Sequence, residues 1–163
     1  LATRLRNFGV RLIGIKQHSS DGVQAAFGFD FLGGAQDLVR VLAEADFVVL
    51  AVPNLPSTQA LISRKELGLM RSNATLINVA RGTVVDTKAL REALETGQIG
   101  RACLDVVETE PLPAKDDLWD IPNLFITPHN AWSSPLYVPR VAEYWLQNLK
   151  LYIRGDELIH KCA

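Results

Sequence analysis

The sequence has 163 residues, of which 48% are hydrophobic and 21% are charged, and this is enough apolar material for the core of one ordinary domain. The formal net charge of -1, with 17 scattered basic residues, argues against a nucleic-acid partner. No apolar run approaches the roughly 20 residues of a membrane span. Two cysteines, Cys103 and Cys162, form neither a disulfide framework nor a metal site. We therefore expect a cytoplasmic protein without nucleic-acid or membrane partners.

The first predicted element is a helix. Leu1, Leu5 and Phe8 recur at helical spacing, and Gly9 is suited to end the helix. The apolar run "VRLIGI" then predicts a buried strand over residues 10–15. A helix that leads into a strand is the second half of a β-α-β unit, so we expect a further strand and its turn in front of Leu1.

Strand-like and helix-like runs alternate along the rest of the chain. The strands are apolar throughout, which is typical of strands buried on both faces of a sheet. This alternation predicts an α/β fold with a parallel sheet between helices, followed by a C-terminal helix. The predicted strands cover residues 10–15, 47–52, 74–79, 101–106 and 124–127, and the predicted helices cover residues 35–45, 63–70, 86–97 and 133–153.

Chemically active side chains follow four of these strands. Open α/β sheets leave a crevice at the carboxyl ends of their strands, so these side chains are expected to share it. A guanidinium, a carboxylate and an imidazole together suit a 2-oxo acid. The residues, in strand order, are Pro53 and Thr58, then Arg81 and Gly82, then Asp105 and Glu110, then His129.

Each of these residues also has a simpler interpretation. Arg81 alone is typical of a surface cation, and Asn78 and Gly82 beside it indicate a tight turn that many folds use. Glu110 alone is typical of a solvated loop charge, and His129 of a loop histidine. The other histidines, His18 and His160, have no neighbours that favour a functional role.

Two segments, which contain the motifs "ARG", "EPLP" and "TPH", together resemble a known family. The segments "INVARGTVVDTKALREALETGQIGRACLDVVETEPLP" and "LWDIPNLFITPH" resemble the D-isomer-specific 2-hydroxyacid dehydrogenases, and the resemblance runs from Leu1 to about His129. It implies a Rossmann-like doubly wound sheet, N-terminally truncated, that lacks its first strand and glycine-rich loop. Residues 1–131 are then expected to form the NAD(P)-binding domain, and residues 132–163 a return helix and the tail of the substrate domain.

The resemblance also implies roles for individual residues. Arg81 is expected to bind the substrate carboxylate and carbonyl oxygen, Glu110 to pair with the catalytic histidine, and His129 to act as general acid and base. Asp105 is expected to face the nicotinamide amide. The residues expected to bind the cofactor are Lys16, Val52, Pro53, Thr58, Val79, Ala80, Arg81, Asp105, His129 and Ala131. No metal is expected.

General chemistry agrees with these roles. Reduction of a 2-oxo acid needs a hydride at the carbonyl carbon and a proton at its oxygen. An imidazole can both donate and accept that proton near neutral pH, and a carboxylate partner favours its charged form. A planar guanidinium can bind a carboxylate at two points.

Two positions depart from the pattern of the family. Lys16 stands where NAD-preferring members carry an Asp for the ribose hydroxyls, and a Lys would attract the 2′-phosphate of NADP. We therefore expect NADP to be preferred over NAD, although Lys16 is also typical of a solvated turn. Trp132 stands among the small residues that usually follow the histidine; it either walls the substrate pocket or packs at the domain hinge.

Two other functions stay open at this point. One is a nucleotide-sensing binding module, like the family's transcriptional corepressors, and the other is an inactive truncated remnant. We expect a homodimer that acts on a small 2-oxo acid when complete. The 163 residues alone are expected to lack tight nucleotide binding, with the open sheet edges closed by rearrangement or by a second copy.

Overall fold

The structure, a computed structural model, describes residues 1–17 and 27–159; His18, His160 and Cys162 lie outside the described residues. The chain divides into two compact units, residues 1–128 and 129–163. The described strands are β1 (Ile13–Ile15), β2 (Phe31–Gly33), β3 (Phe47–Leu50), β4 (Thr75–Asn78), β5 (Arg101–Leu104) and β6 (Leu124–Ile126). The described α-helices are α1 (Ala2–Leu5), α2 (Leu38–Glu44), α3 (Arg64–Leu67), α4 (Thr87–Glu95) and α5 (Tyr137–Arg154).

Every pair of described strands in the first unit is parallel. One sheet has the order β3-β4-β5-β6, and a second sheet consists of β1 and β2. The predicted α/β fold with a parallel sheet and flanking helices is therefore confirmed. Within residues 1–17 and 27–159, no ladder joins β1 to β3.

The strand predictions were wrong in two respects. β2 was missed because it is a three-residue strand, Phe-Leu-Gly, in a glycine-rich stretch with too few residues to show a strand pattern. The predicted strands were also too long, since β4 covers residues 75–78 instead of 74–79. Its ladder ends where the Asn78 side chain accepts the N–H of Ala80 and turns the backbone.

The predicted end of the first helix and the predicted helix over residues 86–97 agree with the structure. Residues Arg6–Phe8 continue α1 as a 3-10 turn, and Gly9 follows in the left-handed conformation (φ 67°) that glycine adopts at low cost. Asp86 caps α4, since its carboxylate accepts the N–H of Ala89 at 2.9 Å. Gly97 follows α4 with φ 71°.

The core of the first unit lies between the four-stranded sheet and its helices. Leu76 of β4 is fully buried, and α2, α3 and α4 contribute Leu42, Leu67 and Leu90 to the same cluster. On the surface, Arg64 of α3 forms an ion pair with Glu92 of α4. The hydrogen bond from the Arg64 guanidinium, with its positive charge, lowers the pKa of Glu92. These contacts hold α4 in place. The loop that carries Arg81 leads directly into this helix.

The second unit is dominated by α5. It agrees with the predicted C-terminal helix, although it begins at Tyr137 instead of residue 133. None of its residues is buried, and Trp145, Tyr152 and Ile153 are each more than 70% exposed. No helix among the described residues is both long and apolar enough to cross a membrane.

Candidate active site

The turn after β4 carries Arg81. Asn78, the last residue of the strand, is 1% exposed, and its side-chain oxygen accepts the N–H of Ala80 at 3.0 Å. Its side-chain nitrogen donates to the Arg81 carbonyl oxygen at 2.9 Å. The Arg81 guanidinium is exposed and donates from Nη1 to the Ala80 carbonyl oxygen at 2.6 Å. The backbone of Arg81 is therefore fixed, and among residues 1–17 and 27–159 its guanidinium, which has five N–H donors, makes this one hydrogen bond.

Gly82 brings this turn against the loop that follows β5. It is buried, and a Cβ built on it would lie 2.0 Å from the carbonyl carbon of Val107 and 2.3 Å from the nitrogen of Glu108. Real Cβ contacts are never this short, so only glycine permits the two backbones to approach this closely. The strand ends of β4 and β5 thus present their loops side by side.

Glu110 lies on that second loop. Its Oε1 accepts the backbone N–H of Val107 at 3.1 Å, and its side chain is exposed. Val107 also packs against Gly82, so the same residue contacts both the glutamate and the arginine turn. The structure therefore brings together the loops of Arg81 and Glu110.

Asp105 is a buried carboxylate at the end of β5. It is 7% exposed, its backbone N–H donates to Asn78 at 2.9 Å, and its Oδ1 accepts the hydroxyl of Thr127 at 2.6 Å. These bonds join the carboxyl ends of β4, β5 and β6. Sequence reasoning missed Thr127, whose only signal was its place between β6 and Pro128.

The loop after β3 is braced by Thr58. Its hydroxyl donates to the Pro53 carbonyl oxygen at 2.7 Å and accepts the N–H of Leu55 at 2.9 Å. This hydroxyl shapes its own loop, and a contact between Thr58 and a cofactor stays a prediction. Val52 is half-buried and packs against the core.

The remaining predicted cofactor residues of the first unit differ in exposure. Val79 is 40% exposed, whereas Ala80 is 4% exposed and belongs to the core cluster. Lys16 follows β1 directly; its backbone N–H donates to Gly33 at 3.0 Å, and its side chain is exposed. An exposed ammonium group at the carboxyl end of a strand is compatible with the predicted phosphate contact. The described residues contain no cluster of three or more metal-ligating side chains.

His129 begins the second unit, three residues after the last residue of β6. Its backbone is in the left-handed region with φ 50°, an uncommon conformation for a residue other than glycine. The indole of Trp132 donates to the His129 carbonyl oxygen at 2.9 Å, and Ser133 donates from its backbone to Asn130 at 2.9 Å. The histidine is therefore held on a tight, specified turn, as at many functional sites. Contact between its ring and the Glu110 carboxylate stays a prediction.

Trp132 has a local structural role. Besides its bond to His129, its ring meets Tyr137 edge to face with centroids 5.0 Å apart, and it remains 58% exposed. It braces the turn that carries His129 and Ala131. Neither of the two roles predicted from the sequence, the pocket wall and the domain hinge, is tested by these contacts.

Comparison with known proteins gives a consistent result. Residues 1–131 match the model of the family described as D-isomer specific 2-hydroxyacid dehydrogenase, NAD binding domain. A glyoxylate reductase from Thermococcus kodakarensis is 39% identical over 158 residues, which are 96% of this chain and 45% of that protein. The chain spans about half the length of the curated relatives it matches.

Two solved structures show the same fold. A D-isomer specific 2-hydroxyacid dehydrogenase from Xanthobacter autotrophicus Py2 in complex with NADPH and MES is 31% identical, with a TM-score of 0.88 over 99% of this chain and 50% of that chain. A D-lactate dehydrogenase with NAD+ from Lactobacillus jensenii is 30% identical, with a TM-score of 0.80 over 99% of this chain and 51% of that chain.

Replacement of Gly82 tests the close approach of the two loops. We expect Gly82→Ala to lower the free energy of unfolding by about 1–3 kcal/mol, because the added methyl group displaces the backbone at Val107. Urea unfolding measures this loss. Gly68→Ala is the matched control. Gly68 has φ -64°, and a Cβ added to it would lie 3.3 Å from its nearest neighbour, the carbonyl oxygen of Arg64. Equal losses in both variants would contradict the inferred packing.

Proposed function

The chain belongs to the family of D-isomer-specific 2-hydroxyacid dehydrogenases, and from this premise we propose that it forms the cofactor-binding part of an oxidoreductase. The proposed reaction is hydride transfer between NAD(P) and a 2-oxo or 2-hydroxy acid of D configuration. The observation that carries the proposal is the contact of the Arg81 turn with the Glu110 loop through Gly82. It supports a shared site for a cation and an acid at the carboxyl edge of the sheet.

Arg81 is proposed to orient and activate the substrate. Its guanidinium can bind the carboxylate at two points and place a further donor near the carbonyl oxygen, where negative charge develops during reduction. The fixed backbone and exposed side chain of Arg81 suit this role, because the group is positioned before substrate arrives.

His129 is proposed as the general acid and base, with Glu110 as its partner. During reduction the imidazolium donates its proton to the carbonyl oxygen as the C–O double bond becomes a single bond, and during oxidation the neutral ring takes that proton back. The bound nicotinamide supplies the hydride. A carboxylate beside the ring favours the imidazolium and orients the nitrogen that faces the substrate.

The described residues include groups that suit the nicotinamide and the sugar end of the cofactor. Asp105, a buried carboxylate at the crevice edge, suits contact with the nicotinamide amide, and the exposed Lys16 suits the sugar end. The predicted cofactor surface further includes Val52, Pro53, Thr58, Val79, Ala80, Arg81, His129 and Ala131. The 163 residues contain no G-x-G-x-x-G turn. We propose that a longer polypeptide supplies this turn for the pyrophosphate, together with a strand between β1 and β3.

Residues 1–131 and 132–163 are proposed to belong to different domains of that polypeptide. The helix α5 exposes large apolar side chains, Trp145, Tyr152 and Ile153 among them, and exposed apolar surface of this kind marks a contact surface. We assign this face to contact with the substrate domain, which the half-length match to the relatives leaves outside these residues.

A homodimer in the cytoplasm completes the proposal. The half-buried thiol of Cys103 is free, which suits a reducing compartment. In the first unit, Trp119 and Phe125 are more than half exposed, and apolar surface of this kind favours association with a second copy.

Turnover by the full-length gene product tests the proposed function. With NADPH, NADH and a panel of 2-oxo acids, we expect oxidation of the cofactor and D-2-hydroxy acid products. His129→Asn keeps a residue that tolerates the left-handed backbone, and it should lower kcat by about 10²–10⁴-fold with little change in KM. Arg81→Ala should reduce kcat and raise KM.

The control for these variants is Arg91→Ala, which removes an arginine that is already paired with Asp117 at 2.8 Å on the surface. It should leave both constants unchanged. Full turnover without His129 would contradict its role as acid and base. Nucleotide binding without turnover on any substrate would favour a sensing module, and the absence of both would favour an inactive remnant.

Charge reversal at Lys16 tests the proposed preference for NADP. In the full-length protein, Lys16→Asp should shift the ratio of kcat/KM for NADPH and NADH toward NADH by about 1–3 kcal/mol, because it replaces attraction for the 2′-phosphate by repulsion. Arg101→Asp makes the same change of charge at the amino end of β5 and should leave the ratio unchanged. A ratio insensitive to Lys16→Asp would make Lys16 an ordinary surface residue.

Calorimetry of residues 1–163 alone tests the contribution of the missing turn. Without a glycine-rich turn to bind the pyrophosphate, we expect neither NADPH nor NADH to bind with micromolar affinity. The full-length protein, titrated under the same conditions, is the control and should bind. Micromolar binding to a monomer of these residues would show that the turn is dispensable.

A further inference from the structure

Asn78 is a buried polar residue that the proposed reaction does not use. It is 1% exposed, and both ends of its amide are bonded within the turn that follows it: Oδ1 to the N–H of Ala80 and Nδ2 to the carbonyl oxygen of Arg81. Its backbone oxygen accepts the N–H of Asp105. One residue therefore connects the strand, the arginine turn and the neighbouring strand end.

We propose that Asn78 is a positioning residue that sets the direction of the Arg81 guanidinium toward the substrate; this inference rests on the role proposed for Arg81. The amide holds the peptide units on either side of the Ala80 carbonyl. That carbonyl in turn accepts Arg81 Nη1 at 2.6 Å. The guanidinium is thus bonded to the peptide unit between Ala80 and Arg81. Asn78 holds the peptide units directly before and after it.

The two hydrogen bonds require an amide. An aspartate retains the acceptor for Ala80 but places a second oxygen against the Arg81 carbonyl, where a donor is needed. A serine hydroxyl can accept the Ala80 N–H in a similar local turn but is too short to reach the Arg81 carbonyl as well. An alanine leaves the Ala80 N–H without its present partner. Loss of either bond should release the Arg81 backbone and not the whole sheet, which its ladder bonds and buried core hold.

A double-mutant cycle in the full-length protein separates positioning from stability. Asn78→Ala should lower kcat/KM for a 2-oxo acid by about 10–100-fold, because small displacements of a binding group are costly. In the Arg81→Ala background the same substitution should cost less than about threefold, since the group that Asn78 positions is already absent. Asn78→Ser keeps one of the two bonds, so with Arg81 present its loss of kcat/KM should be smaller than that of Asn78→Ala. It serves as the readout if Asn78→Ala does not fold.

Thr75→Val is the control for burial on the same strand. Thr75 is 6% exposed, three residues before Asn78, and its change should leave kcat/KM unaltered in both backgrounds. An equal loss from Asn78→Ala with and without Arg81 would overturn the positioning role alone. An Arg81→Ala variant with full activity would overturn the proposed role of Arg81 and, with it, this inference.

Discussion

Parallel pairing of β3, β4, β5 and β6 is the constraint on which the candidate site depends. It directs four consecutive strands the same way, so their carboxyl ends and the loops that follow them lie at one edge. The register places Asn78 beside both Leu50 and Leu104, and the loops after β4 and β5 therefore start at the same level. A buried core beneath this edge keeps the strand ends rigid, while the side chains beyond them remain exposed.

The site is built in two layers. Residues that contact no ligand in the proposed reaction determine the backbone: Asn78 and Gly82 shape the arginine turn, and Thr127 bonds to the Asp105 carboxylate. The residues proposed to do chemistry, Arg81 and Glu110, stand on this backbone with exposed side chains. Rigid support beneath a reactive group lowers the entropy lost when substrate binds.

Much of this arrangement could be predicted from the sequence, because its signals are local. Apolar runs identified five of the six described strands, and the helix expected over residues 86–97 is found as α4. The positions of Arg81 and Glu110 after successive strands indicated that their loops lie at the same edge of the sheet, whereas the place of His129 beside them stays a prediction. Other features were not predictable because they depend on distant contacts. β2 is too short to show a pattern, the bond of Thr127 requires its neighbour Asp105 in space, and the left-handed backbone of His129 depends on the turn around it.

The order of the four-stranded sheet has a consequence for how the chain folds. Its spatial order equals its order along the chain, so each new strand needs to pair only with the strand made just before it. Such a sheet can grow by addition as the polypeptide is synthesised, with no need to insert a later strand between earlier ones. The arginine turn gains its packing partner only when residues 107–108 emerge after β5, because Gly82 lies against them. The loop after β4 is therefore completed only after the next strand, β5, has joined the sheet.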